Sequence, residues 1–178
     1  MILTVAAGAA FASAWTWLMH QSPPLPVAQW SSGRVYWHAA ARAHADALHP
    51  ALLRFLHGWH RHGTGDMKVT ATLRTDADQR VLYAQGRTTP GAVITHAATA
   101  AQSAHGGRRL PDGRAVACAF DWYATPDAGA GIILAPNATA ARAAEATRAA
   151  GLITGADWSG LVDPPHVELR DWRLLPPA

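Results

Sequence analysis

Residues 103–121 constrain this chain more than any other stretch, because they lead from a loop histidine into a strand that ends on a carboxylate. The stretch begins with SAH, which contains His105, and closes with AFD, whose last residue is Asp121. Within residues 114–122, bulky side chains alternate with alanines, which is the period of a half-buried strand. The alanine face also carries Asp121, so it leaves room for a group to approach the sheet closely.

A second segment, DPPH, places Asp163 three residues before His166. Residues 165–169 alternate as a short strand, which puts His166 and Glu168 on the same side. Two imidazoles and a carboxylate are a sufficient ligand set for a catalytic zinc ion with one position left for water. A further carboxylate beside such a site is where a general base is needed. Candidate ligands are His105, Asp121 and His166, and Asp163 is the candidate base.

The length and composition of the chain favour one domain, which we expect to span residues 35–173. The chain has 178 residues, 49% of them apolar, enough for one core. The net charge is +3, but the basic residues are scattered and Arg108-Arg109 is the one adjacent pair, so we expect no nucleic-acid partner. Cys118 is the single cysteine, so the fold must hold without an intrachain disulfide.

The first twenty residues form a segment of their own. Residues 2–19 carry no charge and are rich in alanine, glycine and serine. Three interpretations stay open: a cleaved signal peptide, an uncleaved membrane anchor, or a structural segment that is either a helix docked on the domain or a frayed terminus. We favour an export or membrane signal in residues 1–20. Residues 21–34 contain consecutive prolines and are interpreted as an extended linker.

Periodicity and capping signals predict an α+β fold, with a small antiparallel sheet flanked by helices. Strands are predicted at 67–74, 114–122 and 165–169, with a long loop at 87–107. A first helix is predicted at 35–48, and a second begins at Pro50 with Leu52, Leu53, Leu56 and Trp59 on one face. A third is predicted from its cap at Thr75 to Gly86, and a fourth from Pro136 to Gly151.

Several features are expected to be structural. Trp158 and Trp172 are interpreted as core residues, His96 as structural, and the proline-rich tail 174–178 as inert. Five histidines cluster around the helix that begins at Pro50, and we interpret them as solvated because neither a carboxylate nor a cysteine joins them. They are His44, His49, His57, His60 and His62.

Four motifs in order resemble the family of zinc D-alanyl-D-alanine carboxypeptidases and L-alanyl-D-glutamate endopeptidases, which includes phage endolysins. The similarity runs over roughly residues 48–170. The motifs are LRT followed by Gln79, YAQGRT with a following PG, SAH with AFD, and DW with DPPHVE. The resemblance implies a Hedgehog and D-Ala-D-Ala peptidase-like fold, with the zinc site at the face of the sheet.

The resemblance also implies roles for individual residues. Zinc ligands would be His105, Asp121 and His166, with Asp163 as the catalytic base. Arg74 would act as the cation over the scissile carbonyl or a substrate carboxylate. Substrate contacts would come from Arg74, Ser103 and Gln79. An arginine aimed at a developing oxyanion stabilises a charge that the ground state lacks.

The spacing departs from the compact members of the family, because residues 106–120 separate His105 from Asp121. Asp112 has a separation closer to the compact spacing and is a rival ligand. It lies in Pro111-Asp112-Gly113, a sequence that is typical of a turn. We therefore interpret the extra residues as a hairpin insertion and favour Asp121.

The resemblance implies a zinc metallopeptidase of the cell envelope that acts on the peptidoglycan stem peptide. The endolysin-like loop favours an L-alanyl-D-glutamate endopeptidase. The alternatives are a D-alanyl-D-alanine carboxypeptidase and a catalytically silent wall-binding module on the same fold. We expect a monomer that is exported, with membrane association through residues 2–19 if they are retained.

Overall fold

The structure is a computed structural model, and it describes residues 33–62, 65–125, 131 and 138–178. The predicted signal or anchor segment 1–20, nearly all of the linker 21–34, and Pro136 lie outside the described residues. Within the described ranges, no helix is both long enough and apolar enough to cross a membrane.

A five-stranded sheet forms the centre of the fold. Its strands, in spatial order, are β1 (Val35–Trp37), β2 (Met67–Ala71), β5 (Ala119–Ala124), β7 (His166–Glu168) and β6 (Ile153–Thr154). β1 and β2 pair in parallel, and the other neighbours are antiparallel. The sheet is therefore mixed, where the sequence analysis expected it to be antiparallel. The α+β class is confirmed.

Within the residues that the structure describes, four helices accompany the sheet: α1 (Ala39–Arg42), α2 (Pro50–His62), α3 (Asp76–Ala84) and α4 (Ala138–Ala149). The predicted helix from Pro50 is confirmed as α2, which buries Leu52, Leu56 and Trp59. The ring of Trp59 lies 6.4 Å from that of Trp122 on β5, so α2 packs directly against the sheet. Aromatic pairs at this separation add to the free energy gained from burial.

The prediction of a helix over 35–48 is largely wrong. Its first residues, Val35-Tyr36-Trp37, form β1, and only the four residues of α1 and a 3-10 turn at Ala45–Ala47 are helical. β-branched and aromatic side chains favour strands when a partner strand is present. β2 supplies that partner, which alanine content alone does not reveal.

β2 ends sooner than predicted, at Ala71. Its register with β5 shifts between Val69 and Ala71. A bulge of this kind moves the following side chains to the other face. Thr72 is consequently buried and donates to the carbonyl of Ala41. In the sequence, the alternation over residues 67–74 would put Thr72 on the polar face with Lys68 and Thr70.

The predicted strand 114–122 is two strands that separate at Cys118. β4 (Ala115–Ala117) pairs with β3 (Gly107–Arg109) as a separate hairpin, and β5 continues in the main sheet. Cys118 connects three segments, since its amide donates to Ala104 and its carbonyl accepts from Leu169. The predicted hairpin between His105 and Asp121 is therefore present, and its status as an insertion stays a prediction.

Two expectations about structural residues are wrong. His49 is 1% exposed rather than solvated. The tail is not inert, because the Arg109 amide donates to Pro176 and the Ala178 amide donates to Gly107. The tail thus pairs with the outer edge of β3.

Candidate metal centre

The antiparallel pairing of β5 and β7 brings two of the candidate ligands together. Asp121 and His166 are directly opposite in the register. Asp121 Oδ1 lies 3.0 Å from His166 Nδ1 and 3.0 Å from His105 Nε2. The two imidazole nitrogens lie 3.3 Å apart. One carboxylate oxygen and two ring nitrogens therefore converge on a single point.

The main chain around His105 fixes the direction of its ring. Ser103 Oγ accepts from the His105 amide, and the His105 carbonyl accepts from the Arg74 amide. His105 Nδ1 lies 2.6 Å from the carbonyl oxygen of Thr72. A carbonyl can only accept, so Nδ1 carries the proton and the lone pair of Nε2 faces Asp121. The bulge in β2 is what brings Thr72 to this position.

Glu168 fixes the direction of the His166 ring in the same way. The strand period places both side chains on one side of β7, as predicted, and Glu168 Oε2 lies 3.2 Å from His166 Nε2. The carboxylate accepts from Nε2, which leaves Nδ1 to face Asp121. Partners of this kind commonly set the orientation and tautomer of a metal-binding histidine.

The charges of the cluster are strongly coupled. Burial opposes ionisation of Asp121, but His105 and His166 together hold its pKa well below the usual value. Burial lowers the pKa of His105, which keeps this ring neutral. Burial would also lower the pKa of His166, yet Asp121 and Glu168 raise it to about 9. A metal ion bound by Nδ1 of His166 would displace the proton that this pKa places on the ring.

The donor set fits a divalent metal ion. His105, Asp121 and His166 form one group with ligand atoms within 4.8 Å of one another. Both histidines are nearly inaccessible, at 1% and 5% exposed. Two nitrogens and one carboxylate oxygen are a zinc-type ligand set with a position left open. The backbone and carboxylate partners on the far nitrogens orient both lone pairs toward the same point, as a metal requires.

Arg74 and Asp163 border this group. Arg74 Nη2 lies 2.6 Å from Asp121 Oδ2, the carboxylate oxygen that faces away from the histidines. Asp163 is half-buried, and burial followed by the charge of Asp121 raises its pKa. Its backbone is fixed, because its amide donates to Gly155 and its carbonyl accepts from His166. A methyl group on Gly155 would overlap that Asp163 carbonyl.

The structure separates the two aspartates that the sequence left as rivals. Asp112 lies in the turn of the β3–β4 hairpin, where it is exposed and accepts from Arg114. Asp121 lies beside both histidines.

Gln79 does not fit the substrate contact that the resemblance implied. It is fully buried at 0% exposed, and its Nε2 donates to the carbonyl of Ala97. It therefore holds the loop that precedes Ser103. Ser103 is half-buried, with its hydroxyl on the His105 amide, and its substrate role stays a prediction.

Two aromatic residues beside the site were not recognised from the sequence. The ring of Trp158 lies 4.8 Å from that of His166, and Trp158 is half-buried rather than a core residue. Tyr123 follows Asp121 by two residues on β5. Its burial raises the pKa of its hydroxyl, and the charges of Asp121 and Asp163 raise it further. The period of β5 would have placed Tyr123 on the same face as Asp121.

Comparison with known proteins identifies the fold. No model of a known protein family matches the chain. The chain is similar to a solved structure, the crystal structure of Serratia marcescens L-Ala D-Glu endopeptidase ChiX, with a TM-score of 0.54 and 24% sequence identity. The alignment covers 77% of this chain and 93% of that one. The chain has the fold of ChiX. At this identity, the likeness concerns the fold, and the activity must be argued from the site.

Proposed function

We propose that this protein is a zinc-dependent peptidase that hydrolyses the L-alanyl-D-glutamate bond of the peptidoglycan stem peptide. The observation that supports it most is the convergence of His105, Asp121 and His166 within 3.3 Å contacts. They lie on a fold shared with the L-Ala D-Glu endopeptidase ChiX. We also propose that the protein acts in the cell envelope, where this substrate lies.

His105, Asp121 and His166 would hold the metal. When bound, zinc supplies a water of lowered pKa and polarises a carbonyl oxygen. Thr72 and Glu168 keep the two histidines in the required tautomers. Because these partners belong to β7 and to the main chain that follows the β2 bulge, the fold itself orients both ligands.

Asp163 is the proposed general base. Its raised pKa brings a carboxylate closer to the pH at which proton transfer is efficient. It would accept the proton of the attacking water and deliver it to the leaving amine. The hydrogen bond that the Asp163 amide donates to Gly155 and the one that its carbonyl accepts from His166 fix the backbone that carries it.

Arg74 is the proposed electrophilic residue. Its guanidinium has further N–H groups beyond the one that bonds Asp121, and its side chain is 19% exposed. A donor that faces the scissile carbonyl would stabilise the oxyanion that develops on it, with an effect of about a hundredfold or more in rate.

Digestion of purified cell wall tests the proposal. We expect the wild-type protein to release peptides with a new D-glutamyl amino terminus and to contain about one zinc ion per chain. His166→Ala removes one ligand and should lose both the metal and the hydrolysis. Asp112→Ala is the matched control, since this exposed turn residue should leave zinc content unchanged, whereas Asp121→Ala should lose it.

The same digestion separates the alternatives. Release of free D-alanine without new D-glutamyl ends would identify a D-alanyl-D-alanine carboxypeptidase. Sedimentation with the wall without any cleavage by zinc-loaded protein would identify a binding module. Retention of zinc by both His166→Ala and Asp121→Ala would contradict the ligand set itself.

A further inference from the structure

A cavity lies between the loop that leads into the metal centre and the C-terminal segment. Its volume is about 790 Å³, within the range of small-molecule sites. Ala101 and Gln102 line one side, and Trp172 and Pro177 line the other. None of the ligand residues of the candidate metal centre lines it.

Arg108 is a buried cation in the wall of this cavity. It is 4% exposed, and its Nη2 donates to the carbonyl of Ala101. Its Nε–H has no hydrogen-bond partner among the residues that the structure describes. Among the ion pairs of the described residues, none includes Arg108. Burial of a cation without an acidic partner is costly, and here burial lowers the pKa of Arg108.

Trp172 adds a second buried donor without a partner. It is 2% exposed, and its indole Nε1–H makes no hydrogen bond to any part of the chain that the structure describes. The guanidinium carbons of Arg108 and Arg173 lie 4.5 and 4.2 Å from the centre of its ring. Two like charges on one ring repel each other. Two cations, and two buried donors without described partners, thus belong to residues that line one cavity.

We propose that this cavity binds a small organic oxyanion, either a carboxylate or a phosphate, between Arg108, Arg173 and Trp172. Guanidinium groups bind both kinds of oxyanion through charge-assisted hydrogen bonds. Leu175 and Pro176 also line the cavity and provide an apolar wall for the body of the ligand. This site is separate from the proposed peptidase activity and does not depend on it.

Nuclear magnetic resonance of the indole N–H groups tests the site directly. The Trp172 resonance is assigned with Trp172→Phe, and the Trp158 resonance reports on the metal centre because that ring packs on His166. The probes are N-acetylglycine, inorganic phosphate and the neutral N-acetylglycinamide. We expect saturable shifts of Trp172 with an anion and none with the amide, while Trp158 stays in place. The anion that binds with the lower dissociation constant shows whether the natural ligand carries a carboxylate or a phosphate.

Variants decide whether the arginines hold the anion. Arg173 is exposed, so Arg173→Gln should fold normally and weaken binding about tenfold, the loss of one charge-assisted hydrogen bond. Arg170→Gln is the matched control, since this exposed arginine does not line the cavity and its loss should change affinity less than about twofold. An unshifted Trp172 resonance, an equal response to the amide, or equal weakening in both variants would each overturn the proposal.

Discussion

At the scale of single residues, His49 and His105 are both buried histidines, yet they have different partners. His105 donates to a carbonyl and faces a carboxylate. His49 instead precedes α2 and accepts through Nδ1 from the Ala51 amide, at 3.2 Å, as an N-cap side chain does. Burial, followed by the charges of Arg54 and Arg114, lowers the pKa of His49 to about 4. The cap requires an unprotonated Nδ1.

This cap makes the free energy of unfolding depend on pH. The unfolded chain binds a proton at His49 near pH 6.5, but the folded chain binds it only near pH 4. His49 therefore contributes fully to the free energy of unfolding above pH 6.5. As the pH falls toward 4, this contribution decreases by about 2 to 3 kcal/mol. Urea unfolding at pH 7.5 and 4.5 measures this loss.

His49→Asn tests the assignment, because asparagine can cap the helix without titrating. The variant should lose about 2 kcal/mol less than the wild type between the two pH values. His57→Asn, at an exposed position of the same helix, should behave as the wild type does. Equal losses in His49→Asn and wild type would show that another group controls the pH dependence.

At the scale of elements, the 3-10 turn Ala100–Gln102 sets the position of His105. Gly106 packs against this turn so closely that a methyl group there would overlap the carbonyl of Ala100. We expect Gly106→Ala to displace the turn and His105 together, to lower the free energy of unfolding by about 2 kcal/mol or more, and to weaken zinc binding. Urea unfolding and equilibrium zinc titration measure the two effects.

Gly113→Ala is the control for Gly106→Ala. Gly113 has φ +87° in the hairpin turn, and a methyl group there would meet no atom within 4 Å. Its replacement should cost about 1 kcal/mol of backbone strain and leave zinc affinity unchanged. If the two variants bind zinc equally well, the close contact at Gly106 does not position His105.

The elements also show what the sequence could predict. Local signals identified α2, the Thr75 cap of α3 and the shared side of His166 and Glu168, because each depends on spacing within one segment. The β2 bulge and the parallel strand β1 depend on partners distant in the chain. Alternation therefore misplaced Thr72, and alanine content predicted a helix where β1 lies. Asp121 was favoured over Asp112 because turn chemistry is local, whereas the convergence of three ligands follows from the β5–β7 register.

At the scale of the whole molecule, the C-terminal tail completes the edge of the inserted hairpin. The Arg109 amide donates to Pro176 at 2.8 Å, and the Ala178 amide donates to Gly107 at 2.9 Å. Pairing of this kind protects an edge strand from other chains. The tail also forms part of the wall of the anion cavity, through Pro176 and Pro177. The hairpin edge and the cavity should therefore be lost together.

Deletion of residues 176–178 tests this coupling. Loss of two hydrogen bonds should lower the free energy of unfolding by about 1 to 3 kcal/mol, and amide exchange of Arg109 should accelerate. The saturable shift of the Trp172 resonance should weaken. Zinc content should stay unchanged, because Asp121 and His166 lie on β5 and β7 of the main sheet and His105 is held by the carbonyl of Thr72. Pro177→Ala is the control, since it retains both hydrogen bonds and should preserve protection of the Arg109 amide. Unchanged exchange at Arg109 in the deletion would show that the hairpin holds its edge without the tail.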